Sequence, residues 1–289
     1  MIEYRRTRST KATKDRVGIR ESILLGLAPD GGLYSPESFP RFDPESLRSE
    51  GLSLPELGSR ILTPFFASDP ELLSALPEMT RKAFDFPVPV VPVPGRKGDF
   101  FLELFHGETC AFKDFAARFL SEVISVASKG KRKTVLVATS GDTGGAVASA
   151  FHGRPGIDVV ILYPEGRVSP RQEHQLGAWG GNVRSFRVSG TFDDCQKMVK
   201  ELLRSDHERR FLSANSISLG RILPQMIYYA HASLARSAPP GFVIPTGNLG
   251  NALAAIWSRE CGFPVGPIVL ALNENRVLAD FLETGVFRP

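Results

Sequence analysis

Two regimes of apolar patterning divide the chain. From residue 100 onward, short apolar runs alternate with segments whose apolar positions recur three or four apart. The runs at 134–138 (TVLVA), 159–163 (VVILY), 183–188, 242–244 and 268–272 (IVLAL) read as strands. Helices are predicted at 114–128, 144–152, 169–178, 192–205, 220–236 and 250–261. Ala146, Val147, Ala150 and Phe151 give one of them its apolar face, and Leu253, Ala254 and Trp257 another. Strand, loop and helix in succession imply parallel strands with helices on both faces, an α/β fold. The first hundred residues differ, holding 12 of the 22 prolines, so turns and short elements are expected there. Asp69, Pro70 and Glu71 start a helix running to about 83. PVPVVPVP at 87–94 reads as an extended or edge segment, because proline cannot donate to a central ladder.

Composition narrows the function classes. At 289 residues, 42% hydrophobic and 23% charged, the chain has an ordinary globular make-up. The net charge of +4 is concentrated: residues 1–20 carry seven bases (Arg5, Arg6, Arg8, Lys11, Lys14, Arg16, Arg20) against Glu3 and Asp15. The rest is close to neutral, so no basic face for nucleic acid is expected, and the basic segment reads as a solvated arm. The start lacks the apolar stretch of a secretory signal, and its two acids argue against an organelle transit peptide. No apolar run reaches membrane-spanning length. Cys110, Cys195 and Cys261 are far apart, and His106, His152, His174, His207 and His231 lack ligand spacing. Neither zinc nor a disulfide framework is supported, and a reducing, cytoplasmic setting is expected.

Three segments carry candidate chemistry. Thr139-Ser140-Gly141-Asp142-Thr143-Gly144-Gly145 lies between a strand and a helix. Its glycines let a ligand approach the backbone, the helix-start amides favour an anion, and hydroxyls of Thr139, Ser140 and Thr143 can orient a carboxylate. The plainer alternative is a tight turn with Asp142 or Thr143 as N-cap. Asp142-Thr143-Gly144 also matches the aspartic-protease triplet, but that chemistry needs two facing carboxylates, and one triplet is present. Pro245-Thr246-Gly247-Asn248-Leu249-Gly250-Asn251 repeats the strand-to-helix setting without an acid, which suits a phosphate monoester or, again, a capped glycine turn. Lys113, between Phe112 and Phe115 at a helix start, is a candidate desolvated amine or an ordinary solvated lysine. Amine, phosphate cradle and carboxylate cradle together are what a pyridoxal-phosphate enzyme needs.

In order along the chain, YRRTR (4–8), GLAPDGGLYSP (26–36), LFHGETCAFKDFAARF (104–119), ATSGDTGGAVA (138–148), ILYPEGRVSPRQE (161–173), SANSISLGRILPQMIYY (213–229) and PTGNLGN (245–251) resemble the threonine synthases, of the fold-type II pyridoxal-phosphate enzymes. The resemblance implies two open sheets and an N-terminal mixed subdomain, divided as 1–98, 99–205 and 206–289. It implies that Lys113 is catalytic and bears the cofactor, pyridoxal 5'-phosphate. Gly247, Asn248, Leu249, Gly250 and Asn251 then hold the cofactor phosphate, with Asp142 near its ring. Ser140, Gly141 and Thr143 meet the substrate carboxylate, and Asn215, Ser216 and Arg221 its phosphate. Arg221 has the alternative of a surface residue opening a helix. The implied reaction converts O-phospho-L-homoserine and water to L-threonine and phosphate, with the N-terminal third contributing to a lid. Two alternatives stay open: another β-replacement or dehydratase enzyme on serine or threonine, and a non-catalytic relative. The family's chains run further, and the part beyond, with a hydroxyl residue facing the pyridine nitrogen, has no counterpart in this sequence. An apolar surface and an open sheet edge are therefore expected near the end. Glu108 is expected to affect the Lys113 amine if it points inward, and His106 to line the pocket or to be satisfied elsewhere.

Overall fold

Val135, Leu136 and Val137 are all buried, although successive residues of a strand face opposite ways. A strand buried on both faces belongs inside a parallel sheet covered on each side. The computed structural model, which describes residues 1–9, 16–206, 208 and 210–288, places them there. Lys11, Lys14 and Asp15 of the basic segment, and His207, lie outside the described residues.

The chain opens with strands β1 (Tyr4–Arg6) and β2 (Arg16–Val17), helix α1 (Ile19–Leu25) and strand β3 (Tyr34–Pro36), the strands forming an antiparallel sheet in the order β2-β1-β3. Among its described residues the basic segment is no free arm: Arg5 and Arg6 lie in the sheet, and Arg16 bridges Glu3 and Glu37. Helices α2 (Pro44–Ser49), α3 (Leu54–Phe66) and α4 (Pro70–Ala83) follow, each with a polar cap and a proline in the first turn. Strands β4 (Val90–Pro92) and β5 (Phe100–Leu102) then pair only with each other, which keeps the proline-rich run at an edge.

Helix α5 (Lys113–Ala127) is followed by β6 (Lys133–Ala138), α6 (Asp142–Phe151), β7 (Ile157–Pro164), α7 (Pro170–Gly177), β8 (Val183–Val188), α8 (Phe192–Ser205) and β9 (Phe211–Ser213). The four strands form a parallel sheet in the order β8-β7-β6-β9. Alternate residues serve opposite layers: Val135, Val137, Val159 and Ile161 join the main core, whereas Leu136 and Leu162 meet Cys195 and Val199 of α8. Strand β9, three residues long, has no periodic signal in the sequence, and it carries the sheet past residue 206.

The single helix expected at 220–236 is α9 (Leu219–Ile222), a 3₁₀ turn (Leu223–Gln225) and α10 (Met226–Leu234). Pro224 lacks the N–H that a continuous α-helix needs, and the break falls there. Strand β10 (Phe242–Pro245), α11 (Gly250–Glu260), β11 (Ile268–Ala271) and α12 (Val277–Thr284) complete the described chain, and β10 and β11 form a second, two-stranded parallel sheet. Phe242, Ile244, Ile268 and Leu270 pack on the core from one face. On the other, Val243 is 71% and Val269 54% exposed, an uncovered face for parallel strands. Among the described residues no helix is long and apolar enough to cross a membrane.

Helix α5 starts with Lys113, so what anchors it places the amine. Phe115 stacks on Phe84 at 4.3 Å and meets Tyr228 edge-on, and Phe119 packs on Phe66. At the far end Arg20 donates to the Ala127 carbonyl (3.0 Å) and to both carboxylate oxygens of Asp69 (2.6 and 2.9 Å). Asp69 also caps α4 through the Leu72 N–H (3.0 Å). These bonds, the Arg20 guanidinium foremost, hold the Asp69 carboxyl below its usual value. Its stabilising share is present at neutral pH and is lost as pH falls through that lowered value. Asp69→Ala is expected to cost about 1–3 kcal/mol in urea unfolding at neutral pH. The difference from wild type should shrink below about pH 4, and a gap independent of pH would exclude the ion pair as its source.

Candidate active site

Beyond the carboxyl ends of β6 and β10, where α/β folds place ligands, lies a cleft of about 780 Å³. It gathers Lys113, Ser140, Gly141, Asp142, Thr143, Asn215, Ser216, Arg221, Gly247, Asn248, Gly250 and Asn251, residues drawn from four separate segments. Its charged lining residues are Lys113, Lys200 and Arg221 against Asp142 alone, two net positive charges. Leu27 is the one lining residue from the first 98, among those described.

Lys113 opens α5, with its Nζ 3.2 Å from Asp142 Oδ2 and 4.6 Å from the centre of the Phe112 ring. Phe115, the other flanking ring, faces the core and does not shield the amine. Glu108 also points elsewhere, accepting a hydrogen bond from Ser149 (2.6 Å), and His106 pairs with Glu103 (2.7 Å) outside the cleft. The loop before Lys113 is pinned by buried Asp114, whose carboxylate accepts from the Thr109 N–H (2.7 Å) and hydroxyl. A side chain at Gly107 would come within 2.5 Å of that carboxylate, so the loop requires a glycine at this position.

Asp142 is the first residue of α6, capped by Gly141 without a side-chain bond. Neither Asp142 nor Thr143 is the cap. Thr139 departs from expectation: its hydroxyl accepts from the N–H of Gly141 and of Gly144 (3.0 Å each) and donates to the Gly141 carbonyl (2.8 Å). It shapes the loop and is not available to a ligand. Burial pushes the Asp142 carboxyl up, but the Gln172 amide, 2.7 Å from Oδ1, and the Lys113 amine outweigh it and leave it below its usual value.

The 245–251 loop is built the same way. The Thr246 hydroxyl accepts from the Leu249 N–H (3.1 Å) and donates to Asn251 Oδ1 (2.7 Å). The Asn251 amide donates to the Pro245 carbonyl (2.9 Å). Leu249 sits at φ 60°, a strained value for a branched residue, and opens α11 without a side-chain cap. Leu249 itself lies outside the cleft lining, and its N–H donates to the Thr246 hydroxyl. Gly247 keeps open space where a Cβ would stand. Asn248 Nδ2 reaches Ser216 Oγ at 3.5 Å and joins this loop to the 213–218 turn, which Asn215 closes by accepting from the Ile217 N–H (3.1 Å).

Arg221 is not the surface residue of the alternative reading. It is 1% exposed, donates one bond to the Ala214 carbonyl (3.3 Å), and its Nε has no partner. Burial pulls its guanidinium down to about 10, opposed by the charge of Asp114, which makes no hydrogen bond to it. A buried guanidinium on a cleft wall without a carboxylate bonded to it is an anion site in its chemistry. Sequence reasoning passed over Gln172, Thr246 and Gln225, whose amide donates to the Arg221 carbonyl (2.6 Å), and the α8 residues Phe192, Gln196 and Lys200. The available signal was the Ser169-Pro170-Arg171-Gln172 capping pattern.

The residues fit pyridoxal phosphate: an amine with an acid beside it, two helix starts without side-chain caps, and an orphaned buried guanidinium share one cleft. Residues 86–287 match the family model described as pyridoxal-phosphate dependent enzyme, and residues 3–84 the one described as threonine synthase N terminus. A curated threonine synthase of Escherichia coli (strain K12) is 37% identical over 96% of this chain and 66% of its own length. The crystal structure of threonine synthase from Escherichia coli superposes with a TM-score of 0.90 at 35% identity, covering 99% of this chain and 68% of that one. For the pyridoxal-phosphate-bound threonine synthase from Brucella melitensis the values are 0.86, 37%, 99% and 63%. The chain thus spans about two thirds of the length of the relatives it matches. With the two family models matched one after the other along the chain, and curated threonine synthases 37% identical over nearly all of it, the chain belongs to the pyridoxal-phosphate dependent enzymes, in their threonine synthase family.

Proposed function

We propose that this chain carries the cofactor and substrate site for conversion of O-phospho-L-homoserine and water to L-threonine and inorganic phosphate, in the cytoplasm. The observation that carries this reading is Arg221, a buried guanidinium whose Nε is without a partner, on the wall that also holds the Lys113 amine. In this reading Lys113 binds pyridoxal phosphate, and the cleft-facing backbone of Gly247, Asn248, Gly250 and Asn251 holds its phosphate, with Asp142 oriented toward the ring. Ser140, Gly141 and Thr143 take the substrate carboxylate at the α6 start, and Arg221 with Asn215 and Ser216 takes the substrate phosphate. When bound, the cofactor supplies electron withdrawal from the amino-bearing carbon.

The chain's own groups account for the remaining work. The Cγ–O bond breaks with its electron pair leaving on phosphate, and a guanidinium with few competing bonds offsets that charge. Cβ gives up one proton, water supplies the hydroxyl that bonds there while its other proton goes to the departing phosphate, and Cγ gains a proton. The Lys113 amine is the base within reach for moving protons, with Asp142 3.2 Å away to accept a hydrogen bond from it.

Phosphate release from O-phosphohomoserine tests the reading, and ammonia release from serine without phosphate release would move the chain to the dehydratase class. Bound cofactor with neither product would support a binding protein. Arg221→Met separates anion binding from stability. Removing a buried charge is expected to leave the urea midpoint unchanged or raised. Millimolar inorganic phosphate is expected to raise the melting temperature of the parent chain, and Arg221→Met to abolish that rise. An equal phosphate-induced rise in both proteins would contradict the role given to Arg221.

A further inference from the structure

Asp142 is half-exposed, and two groups hold its carboxylate from opposite sides. Lys113 Nζ approaches Oδ2 (3.2 Å), and Gln172 Nε2 donates to Oδ1 (2.7 Å). The other end of the Gln172 amide is also fixed. Its Oε1 accepts from the Ser169 N–H (3.2 Å) and hydroxyl (3.1 Å), the reciprocal half of the capping box that starts α7. A Cβ at position 141 would stand 2.6 Å from Gln172 Nε2, so Gly141 is what lets the amide reach the acid. Of the carboxylates on neighbouring segments, Glu173 of α7 pairs with Arg187 and Glu108 accepts from Ser149, while the cations Lys200 and Arg221 line the same cleft as Asp142.

From this geometry we infer that Gln172 is a positioning residue, its amide tying the cap of α7 to the Asp142 carboxylate and so fixing the acid that faces the Lys113 amine. This rests on Lys113 being the cofactor lysine. Gln172 makes no hydrogen bond to the amine, and its role is exerted through Asp142.

Glutamate distinguishes this role from simple capping, because Ser-x-x-Glu is as good a capping box as Ser-x-x-Gln. Gln172→Glu therefore keeps the start of α7 but places a second carboxylate against Asp142, which two like charges tolerate only by sharing a proton. A protonated glutamate can donate to Asp142 and accept from Ser169 as the amide does. Gln172→Glu is expected to lose roughly tenfold in kcat/KM and in cofactor affinity at about pH 8, and to recover most of that loss near pH 6. Gln172→Ala should show the loss at both pH values. A second readout needs no turnover. In the cofactor-free chain, Lys113 of Gln172→Ala should be acylated by acetic anhydride several-fold faster than in the parent, measured by peptide mapping, because its acid partner is no longer held.

A Gln172→Glu profile that overlays the parent at both pH values, with unchanged Lys113 labelling in Gln172→Ala, would overturn the inference and leave the proposed function untouched. Faster labelling in a chain that fails to bind the cofactor would support the positioning role while removing the proposed function.

Discussion

The contact between Lys113 Nζ and Asp142 Oδ2 joins the first residues of two helices that meet over the end of a parallel sheet. Everything chemical in the cleft depends on that meeting. A slip of one turn along α5 moves its side chains by about 5.4 Å, more than the contact itself. The slip is opposed by the Phe84–Phe115 stack, by Phe119 on Phe66, and by Arg20 donating to the Ala127 carbonyl at the end of α5 while paired to Asp69. The N-terminal part contributes only Leu27, in the turn after α1, to the cleft among the described residues, yet its helices are what hold the amine in place.

The second constraint is electrostatic. Burying Arg221 with one carbonyl bond is unfavourable for folding, and nothing in the packing around it requires a charge. Such a feature is understandable as a site kept ready for an anion, where a locally unfavourable arrangement serves binding. Asp114 moderates the cost through space while its own oxygens stay committed to Thr109, so the guanidinium remains available. With Lys200 and Lys113, it leaves the cleft with more positive than negative charge. That suits a ligand pair carrying two phosphates.

Much of this architecture is legible in the sequence, and the exceptions have specific causes. Strands β6 and β7 are readable because burial on both faces forces apolar runs, and 183–188 and 192–205 are placed to the residue. Strand β9 escapes because three residues carry no period, and the helix at 220–236 is misread because its apolar pattern continues across Pro224. In the site, glycine spacing reveals both loops but not how hydroxyls and amides within them are used. Thr139 and Asn251 resemble ligand donors in sequence and are instead satisfied by their own loop backbones. Gln172 resembles a capping-box partner, and it is one, but only the fold brings its amide nitrogen to Asp142.

The central claim is that one amine, that of Lys113, is where pyridoxal phosphate is held. Borohydride reduction of the cofactor-loaded chain, followed by peptide mapping, tests it most directly. The account predicts a single reduced pyridoxyl label on the peptide bearing Lys113, absent from Lys113→Ala. A label on another lysine, or the same labelling in Lys113→Ala, would contradict it.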